Sequence, residues 1–249
     1  MEAVTGNAHQ LLVRSLQTHS RLAKQDIREI SSLPHKVREF QHGEDFIHQG
    51  EVPKVAALIM SGMVGRYHIL RNGRRQYVSF HIAGDLPDVQ ALFLREMDHS
   101  VCAIGPAIVA FIPHKMLMRA FTRRPLFGFA IWRETLIDAA IFREAITNNG
   151  ARTKVTRMAH LFCELFYRAR EAGLNDGMTW DFPVSLTQLG ETLGMAIATV
   201  HRTLQELRTT STVDFREGKL VIKDWTRLAK IGEFDPGYLH ARDALELSS

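Results

Sequence analysis

Cysteine is nearly absent from this chain: Cys102 and Cys163 are the only two, far apart and each alone. That excludes a disulfide framework and a Cys-x-x-Cys metal site, and a reducing cytoplasm is the expected setting. Long apolar runs are missing as well. None approaches the roughly 20 residues a membrane span needs, so no membrane partner is expected. The opening M-E-A-V-T-G-N-A-H-Q lacks the basic start and apolar stretch of a secretory signal. No His-x-His, His-Glu-x-x-His or Gly-x-x-x-x-Gly-Lys occurs. A cupin-like metalloenzyme would lack its ligand set, and a phosphate loop its lysine. Catalytic residues, metal ligands and cofactors are each expected to be none, and the chain is read as a non-enzyme. Nor is there an excess of one charge where it would inform. The net charge of +4 comes from the first 150 residues, with 18 basic against 14 acidic, while the remainder balances at 13 against 13. Bulk charge therefore does not mark the C-terminal half as a binder of anions.

What is present centres on Val184–Leu207. Leu186, Leu189 and Leu193 fall at helical spacing, and Ser185 with Gln188 has the form of a capping box. After Gly194-Met195, a second segment places Val200, Leu204 and Leu207 on one face and Thr199 and Arg202 on the other. Two helices joined by a tight glycine-containing turn form a helix-turn-helix, whose second helix can enter the major groove of DNA. An ordinary helical hairpin with a polar outside is the alternative.

Upstream, residues 7–33 show helical periodicity and end at Pro34. From Val37 to Pro113, short segments rich in Val, Ile, Phe and Tyr are punctuated by Gly43, Gly50, Gly62, Gly73 and Gly84. This is the pattern of an all-β sandwich or barrel. Asn72-Gly73 predicts a type I′ hairpin turn, and a short helical insert is expected between Asp85 and Asp98. A long helix is predicted over Pro125–Asn148, broken by Asn148-Asn149-Gly150. Along it Phe129, Trp132, Leu136, Ala139, Arg143 and Ile146 form a heptad-like seam suited to a homodimer; packing on the chain's own core is the alternative. A further helix, Ala151–Arg170, leads into the helix-turn-helix. Val213–Phe215 and Lys219–Ile222, around Arg216-Glu217-Gly218, read as a wing.

In this order of parts the chain resembles the cAMP receptor protein / fumarate-nitrate regulator (Crp/Fnr) superfamily. The landmarks are Gly43-Glu44, Gly50-Glu51, Ser61-Gly62, Gly73-Arg74 and Gly84-Asp85, then Leu189-Gly190, Leu193-Gly194, Thr199-Val200 and Arg202. The resemblance implies an α+β chain: an N-terminal cyclic-nucleotide-binding-like β-roll with its leading helices (residues 1–124), a long dimerisation helix with a hinge (125–150), and a C-terminal winged helix-turn-helix (151–249). It implies a homodimeric transcription regulator of palindromic double-stranded DNA, with RNA polymerase as a further partner. The DNA-facing residues would be Ser185, Thr187, Gln188, Ala198, Thr199 and Arg202. The effector pocket would include Gly84, Asp85, Asp88, Gln90, His99 and Ser100.

Departures from the family pattern shape the expectation. Where cAMP-binding members carry Gly-Glu for the ribose and Arg-Ser for the phosphate, this chain has Pro87-Asp88-Val89-Gln90 and His99-Ser100. A phosphate wants a fixed cation, so the small-molecule effector is unknown and is not expected to be cAMP. Oxygen-sensing relatives hold iron–sulfur clusters with four cysteines, which two cannot supply; for haem, only His81 suggests itself. The reading helix opens Ala196-Ile197-Ala198-Thr199 in place of Ser-Arg-Glu-Thr, leaving Arg202 alone of the usual base readers. Either the operator differs from the family's usual half-site or the module binds DNA weakly, and Ile197 with Ala198 leaves open a protein-interaction module that keeps the fold without DNA.

Overall fold

The computed structural model describes residues 8–241, and these divide into two compact units. One holds the residues up to His68 together with Phe80–Ala139; the other holds Ile69–Ser79 and Ala140–Leu239.

The first unit begins with α1 (Ala8–His19) and α2 (Lys24–Ser31). The predicted single stretch of helical periodicity is thus interrupted, because Ser20 N–H closes the last turn on Leu16 and the Asp26 carboxylate accepts from Ala23 N–H at 2.9 Å to start the second helix. Seven strands follow: β1 (Lys36–Phe40), β2 (Asp45–Ile47), β3 (Val55–Ser61), β4 (Met63–Ile69), β5 (Arg75–Ile82), β6 (Ser100–Ala103) and β7 (Ala107–Pro113). They form two sheets, ordered β1-β7-β3 and β2-β6-β4-β5. Side chains alternate across a strand, and here both faces of β3 and β7 are covered. Leu58, Ala110 and Ile112 join a core with Leu12, Leu16 and Ile30 of the leading helices, while Ile59 and Val109 turn into the roll against Phe40, Val64 and Val101. Gly62 makes the β3–β4 turn at φ +80°, and a Cβ there would collide with the Pro106 carbonyl and come within 2.9 Å of the Ala107 Cα.

The β4–β5 hairpin exists, but not with the predicted turn. Only Gly73 has positive φ, and Leu70 N–H closes a longer loop on the Arg74 carbonyl. A type I′ turn would need positive φ at Asn72 too. The insert before β6 is a 3-10 turn at Val89–Leu92. Next come α3 (His114–Arg123) and the 27-residue α4 (Pro125–Ala151), with proline at its first position, where a missing N–H costs nothing. Phe127, Ala130 and Ile131 of α4 are buried in the same core as the leading helices.

The expected break at Asn148–Gly150 does not occur. Asn148 is buried, and its amide donates to the Arg157 carbonyl at 3.1 Å, so the helix runs on to Ala151. The stop comes at Thr153, whose hydroxyl accepts from Thr156 N–H and caps α5 (Lys154–Glu171). The remainder is β8 (Thr179–Asp181), α6 (Leu186–Leu193), α7 (Ile197–Thr209), β9 (Val213–Arg216), β10 (Lys219–Ile222) and α8 (Trp225–Gly232). The wing strands pair antiparallel, joined by β8 in the order β8-β10-β9.

Candidate nucleic-acid interface and effector pocket

The reader is built from local chemistry. Ser185 Oγ accepts from Gln188 N–H at 3.2 Å, and the Gln188 side-chain oxygen accepts from Ser185 N–H at 2.8 Å, which completes the capping box of α6. Gly194 ends the helix in the left-handed conformation, φ +63°. Gly190 lets the two helices close: a Cβ there would lie 2.6 Å from the Met195 carbonyl oxygen. Val200, Leu204 and Leu207 are buried, as their spacing requires.

Ser185, Thr187, Ala198 and Arg202 are exposed and Thr199 is half-buried, so these five share the reader's outside. The Arg202 guanidinium has no partner among the described residues. Gln188 is different. It is buried, committed to the cap, and its amide lies 3.4 Å from the Tyr77 hydroxyl. Ile197, at the entrance of α7, is 52% exposed. Arg208 ties α7 to the wing through Asp214 at 2.9 Å and the Phe215 carbonyl at 2.6 Å. Arg157 donates to the Leu193 carbonyl at 2.8 Å and so holds the end of α6.

In the first unit, the residues expected to form an effector pocket sit along the loop from Gly84 to Gln90 and the start of β6. Gly84 N–H donates to Ile59 O, and Asp85 accepts from Ile82 N–H at 3.0 Å. Asp88 is buried and accepts from Ala57 N–H at 2.8 Å; burial pushes its carboxyl up to about 7. Ser100 Oγ accepts from Gln49 N–H at 3.0 Å. His99 leans on Asp98, Nδ1 to Oδ1 at 2.7 Å, while its buried Nε2 completes no hydrogen bond. Burial holds the His99 imidazole below its ordinary value, so it supplies no dependable cation near neutrality. His81 is lowered further, to about 4, by burial and by Arg66. Gln90 lies apart from this group, in an apolar groove of about 580 Å³ lined also by Phe93, Leu94, Phe121, Phe129 and Trp132. No group of His, Cys, Asp and Glu among the described residues could hold a metal ion.

One residue here escaped the sequence reading. Arg66 on β4 is 2% exposed, and its Nε donates to the Pro87 carbonyl at 2.7 Å. A fixed cation does therefore stand beside Pro87, contributed by β4. An arginine between Gly65 and Tyr67 in an apolar strand was the available signal.

The seam on α4 is divided. Phe129, Trp132 and Leu136 are each at least half exposed and Ile146 is 73% exposed; Arg143 is exposed and Ala139 half-buried. Ile131, Ile137 and Ala140 carry the helix's buried face.

Two family models match this chain: the cyclic nucleotide-binding domain over residues 37–124 and the Crp-like helix-turn-helix domain over residues 156–231. A β-roll of the cyclic-nucleotide-binding type and a winged helix-turn-helix, in that order, define the class. The chain belongs to the Crp/Fnr superfamily of transcription regulators. It is 27% identical over 188 residues to a "probable transcriptional activator" of Rhizobium leguminosarum bv. viciae, covering 75% of this chain and 76% of that one. It is 26% identical to the nitrogen fixation regulation protein FixK of Rhizobium meliloti, covering 76% and 83%. The solved structure of FixK2 from Bradyrhizobium japonicum has the same fold, with TM-score 0.71 at 22% identity over 80% of this chain and 98% of that one. No helix among the described residues is long and apolar enough to cross a membrane.

Proposed function

We propose that this regulator binds palindromic double-stranded DNA as a homodimer, reading each half-site through the outer face of α7. The observation that carries the reading is Arg202, exposed on that face with its guanidinium unpartnered. A guanidinium so placed can bond guanine O6 and N7 together. Ser185 and Thr187, at the exposed start of α6, are suited to phosphates, since helix N-termini present free N–H groups to anions. Ala198 and Thr199 offer small surfaces to a thymine methyl. The exposed aromatic seam of α4 supplies the dimer contact, and a symmetric pair of readers would span successive major-groove faces. The chain works in the cytoplasm, has no catalytic role, and meets RNA polymerase at its promoters, in line with relatives named as transcriptional activators. Its pocket is not built for cAMP, because the fixed cation beside Pro87, Arg66, is already paired with Asp138 at 2.6 Å.

Selection of bound fragments from random DNA, with and without cell extract, tests this. A symmetric consensus with half-sites about one helical turn apart is the expected outcome. Exposed Ile197 favours a second reading, a docking face for protein. Failure to enrich any DNA sequence, with or without extract, would favour it.

A further inference from the structure

Arg66 is the only cation on β4, and it points inward. Its side chain is 3% exposed, and two of its nitrogens have defined partners: Nε meets the Pro87 carbonyl at 2.7 Å and Nη1 meets Asp138 Oδ2 at 2.6 Å. Pro87 opens the segment that stands where family members bind the ribose. Asp138 belongs to α4, between the buried Ile137 and the seam residue Ala139. One buried side chain thus connects strand, pocket loop and long helix.

The charge arithmetic makes the connection meaningful. A buried guanidinium without a counter-charge is strongly disfavoured, so something anionic must face it. The cyclic phosphate of a nucleotide carries one negative charge, and so does the Asp138 carboxylate. A ligand phosphate reaching Arg66 would compete with a charge-assisted bond already made at short distance. We propose that the Arg66–Asp138 ion pair is a built-in substitute for an effector: the long helix supplies the anion, fastens itself to the sheet, and the chain takes its DNA-binding form with no small ligand. This rests on the regulator reading above.

The test uses the full-length chain, the DNA it selects, and three variants. Asp138→Asn removes the charge at constant size, Asp138→Glu restores it, and Arg66→Met removes the cation. Two readouts are compared: affinity for the selected DNA without added ligand, and hydrogen exchange across the middle of α4. Wild type is expected to bind unaided, Asp138→Asn to lose roughly tenfold in affinity, and Asp138→Glu to recover most of it, a size typical of coupling between sites. Exchange in α4 should rise in Asp138→Asn and Arg66→Met alike. Adding both substitutions together should cost little more than Arg66→Met alone, because the ion pair is already broken there. Calorimetry of wild type with cAMP should show no binding at micromolar levels. The proposal is overturned by Asp138→Asn matching wild type in affinity and exchange, by wild type binding DNA only when small-molecule extract is added, or by micromolar cAMP binding. If wild type selects no DNA under any condition, the regulator reading fails by itself. Exchange in α4 then decides the tie alone, with unchanged protection in both variants overturning it.

Discussion

Two side chains show how position decides what a charged group does. Arg202 is exposed and uncommitted, so its charge is available to a partner. Arg202→Ala should lose about 1–3 kcal/mol of DNA affinity and relax preference at one base pair per half-site. Binding assays against single-base variants of the selected site check this, and an unchanged preference would remove Arg202 from the interface. Asp88 is the opposite case, a carboxyl pushed by burial from its ordinary 3.8 up to about 7. Because its folded value is raised, the folded state holds the proton more tightly, and this group's contribution to stability falls as pH rises from about 4 through 7. His81, lowered from 6.5 to about 4 by burial, acts in the reverse sense: its stabilising neutral form is lost as pH falls through that window. The two slopes oppose each other in wild type, so a comparison of variants isolates Asp88. Asparagine at 88 keeps an oxygen for Ala57 N–H and has no charge to desolvate. The melting temperature of Asp88→Asn relative to wild type should therefore climb between about pH 4 and about pH 7. A constant difference across that range would show that Asp88 does not titrate there.

Elements were legible where their causes are local. Ser185 and Gln188 cap α6 through bonds three residues apart, and the spacing of Val200, Leu204 and Leu207 fixes which face of α7 is buried. The glycine of the turn has an equally local cause. Gly190→Ala would place a Cβ 2.6 Å from the Met195 carbonyl and 3.2 Å from Val200 Cγ2, so α6 and α7 must separate. We expect roughly 1–3 kcal/mol of destabilisation from such overpacking. Loss of DNA binding should accompany it, while exchange protection in β3 and β7 stays as in wild type. Protection lost equally throughout would mean the turn is not an independent weak point. What could not be read locally was set by distant partners. Asn148-Asn149-Gly150 looks like a helix stop, yet Asn148 is bound by the Arg157 carbonyl and the helix continues. Gln188 has the residue type of a DNA contact, but the cap and Tyr77 use its side chain. Arg66 finds Asp138 across 72 positions of sequence, a pairing no spacing rule reaches.

For the molecule as a whole, the open question of assembly comes down to α4, whose apolar residues exceed what its own unit buries. Phe129, Trp132 and Leu136 remain at least half exposed, although Ile131 and Ile137 on the same helix are buried. A stripe of this kind marks an interaction surface, and the dimer proposed above would cover it with a second copy. Within such a pair Arg143 is the anomaly, since symmetry brings it toward its own image. The acidic neighbours that could neutralise it are otherwise engaged: Asp138 with Arg66 at 2.6 Å and Glu144 with Arg152 at 2.6 Å. A cross-dimer ion pair for Arg143 would have to share a carboxylate with one of these arginines. Arg143→Leu should accordingly leave the dimer at least as tight as wild type, by removing like charge from the seam. Trp132→Ala should weaken it by roughly 3–5 kcal/mol, the usual cost of emptying a buried aromatic site. Sedimentation across a concentration series separates the two variants. A wild-type chain that remains monomeric at micromolar concentration, or a Trp132→Ala chain as tightly paired as wild type, would remove α4 from the interface. Two readers on one palindrome would then have to be joined by some other surface.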